Sequence, residues 1–231
     1  RYSISLMPRQ SGKSTSAAGY LLWYAMFVPD STILIAAHKY TGAQEIMQRI
    51  RYAYENCPDH IKAGVTTYNK GSLDFENGSR IVSATTTENT GRGLSISLLY
   101  LDEFAFVPNN IANEFFTSVY PVISSGKKTK IIIVSTPNGM NHFYRIWKEA
   151  EEGINGFHYI EANWRQVPGR DEKWAAQQKR VLGEQKYLQE MECSFLGSAG
   201  TLISAAALKN MVFTRPIKTT MDSHLEIYED P

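Results

Sequence analysis

Three short apolar runs constrain this chain more than any other feature: Thr32–Ala37, Ser97–Leu101 and Lys130–Ser135. Each has the length of a strand and is apolar along most of that length, not at every second residue. A strand reads this way when both faces of its sheet are covered, as in a parallel sheet lying between layers of helix. The segments between these runs carry helical signals. Ile46, Ile50 and Tyr54 recur at spacing four within residues 42–55, and Thr41 with Gln44 supplies a capping box. Helices are also expected over 14–28, closed by Pro29, and over 141–152, followed by Gly153. Tyr2, Ile4 and Leu6 alternate with polar residues, which predicts a strand over 2–7, and 157–162 suits a last strand. Residues 72–84 read as a hairpin turning at Asn77-Gly78. Alternating strands and helices imply an α/β fold with a mostly parallel central sheet flanked by helices. Ligands of such folds gather at the carboxyl ends of the strands.

Composition removes several classes. Lys and Arg total 24 against 23 Asp and Glu, so bulk charge gives no reason to read nucleic-acid binding. With 43% hydrophobic residues, the chain suits one globular domain, or a domain with a small appendage, and not a disordered segment. Cys57 and Cys193 are too few for a disulfide framework and read as ordinary thiols. The histidines are scattered, without zinc spacing. No apolar run approaches the roughly 18 residues of a membrane span. The chain opens on Arg1 in mid-pattern, and an upstream part is expected.

The texture changes after Asn163. Residues 170–192 are rich in Lys, Gln and Glu and predict one or two helices with a solvated, charge-balanced face. Thr214 to Pro231 has few apolar residues and two prolines and reads as a linker. The expected organisation is a core over 1–162, a small helical second subdomain over 163–213 and a linker over 214–231.

The first strand runs into Pro8-Arg9-Gln10-Ser11-Gly12-Lys13-Ser14-Thr15, and a helix follows. The tail has the form of a Walker A phosphate loop. Gly12 permits the tight turn that lets backbone amides face phosphates. Lys13 reaches the β and γ phosphates, and Ser14 offers a hydroxyl to magnesium. The pattern wants a glycine five residues before Gly12, where Met7 stands. Alone, the segment also fits a helix start beside a surface lysine. The strand before and the helix after favour the phosphate loop.

A second apolar strand, Leu98 to Leu101, ends in Asp102-Glu103, the form of a Walker B motif. Asp102 would hold the magnesium shell, and Glu103 would act on the attacking water as general base. The spacing between the two motifs leaves room for more than one crossover, hence for added strands. The expected fold is therefore a P-loop NTPase of the additional-strand, catalytic-glutamate type. A third strand ends in Ser135-Thr136-Pro137-Asn138-Gly139. Either hydroxyl suits a contact with the γ-phosphate or its water, and turn chemistry alone also accounts for the segment. Arg9, inside the loop, and Arg92, between glycines, each suit the stabilisation of a transferring phosphoryl group, and each also reads as a solvated loop arginine. Lys127, Lys128 and Lys130 form a small basic cluster that reads as solubility more than as a DNA contact.

Taken together, PRQSGKST, ILIAAHK, YNKGSLDFENGS, LLYLDEFAFVPN, PVISSGKKTKIIIVSTPNGMNHFYRIW and FLGSAGTLIS resemble the ATPase domain of the large terminase subunit of tailed bacteriophages, closest to the T-even type. The resemblance runs from Arg9 to about Ser204. It implies an ATP- and magnesium-dependent motor that packages double-stranded DNA into a prohead. The large subunits would form a ring on the portal protein, assisted by the small terminase subunit. They would work in the host cytoplasm without a membrane. The resemblance also implies an upstream adenine-recognition segment and a separate nuclease domain after the linker, where most of the DNA grip is expected. Residue by residue, Arg9 to Thr15 match the nucleotide-binding loop, with Arg9 as a cis finger. Ser14 and Asp102 match the magnesium residues, Glu103 the catalytic glutamate, and Ser135 and Thr136 the coupling motif. Arg92 stands where some relatives place a trans-acting arginine. A helicase-like nucleic-acid ATPase is the alternative. It would require a second domain with further arginine motifs, and this chain carries no second pair of Walker motifs.

Overall fold

In the computed structural model, the described residues are 1–87, 90–91, 93–126, 128–195, 218–220 and 225–227. Strand β1 (Tyr2–Leu6) leads into α1 (Lys13–Phe27), then β2 (Thr32–Ala37) and α2 (Tyr40–Glu55). Three strands follow: β3 (Val65–Tyr68), β4 (Ser72–Phe75) and β5 (Arg80–Thr85). The alternation then resumes with β6 (Leu98–Asp102), α3 (Asn109–Ser125), β7 (Lys130–Ser135), α4 (His142–Glu151) and β8 (His158–Glu161). Helices α5 (Glu172–Leu182) and α6 (Glu184–Glu190) come next. The chain divides into two compact units, 1–196 and 197–231. Within the second, β9 (Lys218–Thr220) pairs antiparallel with β10 (Leu225–Ile227), inside the stretch read as a linker.

The first unit holds one eight-stranded sheet in the order β3-β4-β5-β2-β6-β7-β1-β8. The strands from β5 to β8 run parallel, and β4 and β3 extend the sheet antiparallel at one edge. Strand residues alternate between two cores, as the period of two requires. Ile4, Leu6, Leu99, Leu101, Ile131 and Ile133 face Phe115 of α3 and Phe143 and Trp147 of α4. Ile33, Ile35, Leu98, Tyr100 and Val134 face Leu21, Leu22 and Ala25 of α1 and Ile46, Met47 and Ile50 of α2. Both faces are thus buried, which is why the strands read as continuous apolar runs.

Local chemistry fixes the connections. Val28, extended ahead of Pro29, ends α1. Asn77 Nδ2 donates to the carbonyls of Ala25 and Met26, so the β4–β5 turn caps the end of α1. Gly78 sits at φ 81°, where a Cβ would lie 2.3 Å from Asp30 Oδ1. The expected capping box at Thr41 and Gln44 does not form. Helix α2 already starts at Tyr40 with Lys39 as N-cap, which puts Thr41 inside the first turn. The sequence reading assigns no element to residues 109–125, yet α3 spans them with Pro121 inside.

Helices α5 and α6 divide at Gly183, φ 78°. Trp164, Ala175, Tyr187 and Met191 form a small separate core. Glu192 at its edge accepts hydrogen bonds from Trp164 Nε1 at 2.8 Å and Tyr187 Oη at 3.1 Å. The expectation of a solvated charged face therefore fails at Glu192 and at Glu190, which is only 5% exposed.

Candidate functional site

Strand order brings the three motifs together. β7 lies between β1 and β6, and Leu6 pairs with Ser135 while Asp102 pairs with Val134. The carboxyl ends of three adjacent strands therefore carry the phosphate-loop sequence, the two carboxylates and the Ser-Thr turn. The strands that the spacing between the motifs leaves room for, β2 to β5, lie on the far side of β6, and the strand inserted between the first two is β7, which follows both motifs in the chain.

The loop after β1 stays tied to the sheet at its start, where the Met7 amide donates to the Ser135 carbonyl at 3.1 Å. Gln10 then adopts φ 54° and Gly12 φ 83°. For a side-chain-bearing residue such as Gln10, this left-handed backbone costs on the order of 1–3 kcal/mol. Glycine at position 12 avoids that cost and leaves the space beside it open: a Cβ there would meet nothing within 4 Å. As N-cap of α1, Gly12 has no side chain to satisfy the first-turn amides. Left-handed residues on either side of Ser11 and a helix N-terminus just beyond make a concave set of amide donors suited to phosphate. Ser11 Oγ is buried with no hydrogen-bond partner among the described residues. Ser11 and Lys13 line a cavity of about 730 Å³ that continues past Met7 and Tyr100 to Gln166 and Val167.

Burial lowers the pKa of the Lys13 ammonium, and the charges of Asp102 and Glu103 oppose that shift. Asp102 is 7% exposed, and Tyr100 Oη donates to its Oδ1 at 3.1 Å. Burial raises the Asp102 pKa, with the Lys13 charge pulling the other way. Once ionised, the Asp102 carboxylate is an oxygen donor of the kind Mg²⁺ takes, as is the Ser14 hydroxyl in the first turn of α1. Glu103 is exposed and adopts φ 50°, ψ 37°. Its strained backbone turns the chain out of β6 into a short 3₁₀ turn, Phe104–Phe106.

That turn rests on the Ser-Thr segment. Ser135, fully buried, accepts a hydrogen bond from the Ala105 amide at 3.1 Å and donates to the Thr136 carbonyl at 2.7 Å. Asn138 and Asn141 both donate to the Ala105 carbonyl. The Ser135 hydroxyl therefore joins the end of β7 to the turn after Glu103. Thr136 is also buried, at 2% exposure.

Sequence reasoning missed the contacts that reach the site from beyond Asn163. Glu190 Oε2 lies 3.1 Å from Arg9 Nε, and the Glu190 carbonyl accepts from the Arg9 amide at 3.1 Å. Gln189, the residue before, donates to the Pro137 carbonyl at 2.8 Å. Arg170 Nη2 donates to the Arg9 and Gln10 carbonyls. None of these pairs leaves a local sequence signal, because their partners lie far along the chain. Ser14 is half-buried and Thr15 exposed in the first turn of α1, with Arg49 Nη1 donating to Thr15 Oγ1 at 3.3 Å. Arg92 lies outside the described residues. Among the described residues no cluster of His, Cys, Asp and Glu is built to hold a metal by itself, and no helix is long and apolar enough to cross a membrane.

Known proteins share this architecture. The large terminase subunit of Thermus virus P23-45 is 24% identical over 233 residues, covering 87% of this chain and 47% of that protein. The chain thus spans about half the length of this curated relative. The large terminase ATPase domain of Thermus phage P74-26 superposes with a TM-score of 0.66 at 21% identity, over 84% of this chain and 88% of that one. The large terminase of another thermophilic bacteriophage, solved in complex with ATP-γ-S, gives a TM-score of 0.63 at 12% identity, over 84% of this chain and 47% of that one. These likenesses identify the fold as that of a P-loop NTPase. The family described as terminase large subunit, T4likevirus-type, N-terminal, matches residues 4–210, and the chain belongs to it.

Proposed function

We propose that this chain hydrolyses ATP and supplies the power stroke for packaging double-stranded viral DNA. The observation that carries the reading is the placement of Lys13, in the segment after β1, and of Asp102 and Glu103, at the end of β6, on either side of β7, within a chain of the terminase family. In this reading Gln10 to Thr15 cradle the phosphates, and Lys13 neutralises the β and γ groups. Ser14 and Asp102 hold Mg²⁺, which supplies charge neutralisation when bound. Glu103 is the general base for the attacking water. Arg9 in cis, or Arg92 from a neighbouring subunit, stabilises the transferring phosphoryl group. Ser135 and Thr136 pass the state of the site to the rest of the molecule. Residues 163–213 act as a second subdomain, and 214–231 lead toward a nuclease domain. The working assembly is a ring on the portal of the prohead in the host cytoplasm, joined by the small terminase subunit. Nothing among the described residues of the sheet and its loops favours the helicase alternative.

The test is Mg-ATP turnover by the chain and by Glu103→Gln, over a range of protein concentrations. The variant should keep nucleotide affinity and lose about 10²- to 10⁴-fold in rate, the usual worth of a general base. Equal turnover removes Glu103 from the base role. A rate per chain that climbs with concentration assigns the arginine to a neighbour, and a flat non-zero rate assigns it to Arg9. In the full-length protein, the same substitution should abolish ATP-dependent protection of DNA inside proheads.

A further inference from the structure

The phosphate loop has an unusual composition for its shape. Pro8, Arg9 and Gln10 occupy its first half, and Gln10 holds a left-handed backbone without the freedom of glycine. Something outside the loop must hold that conformation. Arg170 reaches it from the segment just before α5: its Nη2 donates to the Arg9 carbonyl at 2.9 Å and the Gln10 carbonyl at 2.8 Å. The guanidinium lies over the Trp174 ring, 4.5 Å from its centroid, so the fork is itself oriented.

Peptide geometry gives the consequence. The peptides on either side of Gln10 are trans, so each N–H points opposite to its own C=O. The Arg9 carbonyl shares a peptide with the Gln10 amide, and the Gln10 carbonyl shares one with the Ser11 amide. With both oxygens fixed on one guanidinium, both amides are turned away from it as a pair. Two successive amides facing one way around a left-handed residue are the working part of an anion-binding nest.

We propose that Arg170 is a positioning residue of the phosphate site, holding the Gln10 and Ser11 amides in the orientation that receives nucleotide phosphate. The inference rests on the reading of this loop as a phosphate cradle. Arg170 supplies from outside what an early glycine would otherwise supply from within. A lysine replaces it poorly: both bonds leave one nitrogen, but an ammonium lacks the planar face that stacks on Trp174 and fixes that nitrogen between the two carbonyls.

The experiment compares the parent chain with Arg170→Ala, Arg170→Lys, and Arg170→Ala combined with Gln10→Gly. The readouts are equilibrium binding of a fluorescent ATP analogue with Mg²⁺, KM and kcat for Mg-ATP, and melting temperature. Arg170→Ala should weaken binding and raise KM by about tenfold, the loss expected for these hydrogen bonds, with kcat changed less. Arg170→Lys should recover little. Gln10→Gly should restore most of the affinity lost by Arg170→Ala, because glycine takes the left-handed backbone without an external tether. If Arg170→Ala fails to fold, Arg170→Lys carries the test, with weakened binding expected. Unchanged affinity in the folded Arg170 variant overturns the inference, as does a loss that Gln10→Gly leaves untouched. A parent chain that binds no analogue overturns the phosphate-cradle reading and the inference with it.

Discussion

Replacing Ser135 by alanine separates two roles for the Ser-Thr segment. Its hydroxyl is buried and makes two hydrogen bonds, accepting from the Ala105 amide and donating to the Thr136 carbonyl. The substitution leaves a buried backbone donor without its partner, which costs about 1–3 kcal/mol, and removes a second bond worth roughly 1 kcal/mol. Asn138 and Asn141 still hold the Ala105 carbonyl, so the turn loosens without detaching. The expected loss is about 2–4 kcal/mol, or a fall in melting temperature of roughly 4–16 °C for a chain of this size. The turn follows Glu103 directly, so turnover should fall together with stability while nucleotide affinity holds. The assay is urea denaturation followed by tryptophan fluorescence, run beside Mg-ATP turnover on the same preparation. A variant within about 0.5 kcal/mol of the parent, the usual scatter of a neutral substitution, that has lost its turnover would refute this reasoning. Ser135 would then act on the nucleotide itself.

Two further predictions concern pH. The His142 ring is 8% exposed, packs against Phe104 and Phe116, and has its pKa lowered to about 4 by burial and by the Arg145 charge. The unfolded chain binds this proton near pH 6.5 and the folded chain does not. Stability from this group is therefore complete above pH 6.5 and lost as pH falls toward 4, by on the order of 3 kcal/mol. Urea midpoints between about pH 7 and 4 should slope accordingly and flatten in His142→Phe; an unchanged slope in that variant sinks the assignment. Burial alone would raise the Glu192 carboxyl, but donors from Trp164, Tyr187 and Asn163 and the Arg165 charge bring it below its ordinary value. Its contribution is present above about pH 4.5 and lost as pH falls through the lowered value. Glu192→Gln should lower the melting temperature at neutral pH, and the gap from the parent should shrink in acid. A gap that does not vary with pH would contradict the hydrogen-bonded carboxylate.

What was legible in the sequence follows the range of the forces involved. β2, β6 and β7 are buried on both faces, so burial itself writes their apolar runs, and the residues just past each run mark the strand ends where the site lies. The turn at Asn77-Gly78 is legible because φ 81° at Gly78 is local backbone chemistry. Helix α3 is not, since Pro121 within it and the Asn109-Asn110 start argue against a helix that packing of Phe115 and Val119 nonetheless stabilises. The capping box at Thr41 is a correct local pattern overruled when α2 begins two residues earlier. Lys13, Asp102 and Glu103 announce themselves by position after strands. Arg170, Gln189 and Glu190 do not, because a polar residue in a loop or on a short helix looks the same whether it meets water or a distant loop.

The position of β1 also has a consequence for how the chain acquires its shape. Its strand neighbours are β7 and β8, so Tyr2 waits for Ile131, and Leu6 for Ser135 and Glu161. β2, β5 and β6, by contrast, pair over shorter loops. A ribosome would release the phosphate-loop strand early and its partners late. That half of the sheet must then persist without ladder partners while the other half has all the residues it needs to assemble. Pairing across such a separation is slow, because the loop must be closed before any contact stabilises it. The step that seats β1 between β7 and β8 is therefore the expected late event in folding, and the one most exposed to aggregation. The phosphate loop would become competent only when nearly all of the parallel sheet is in place.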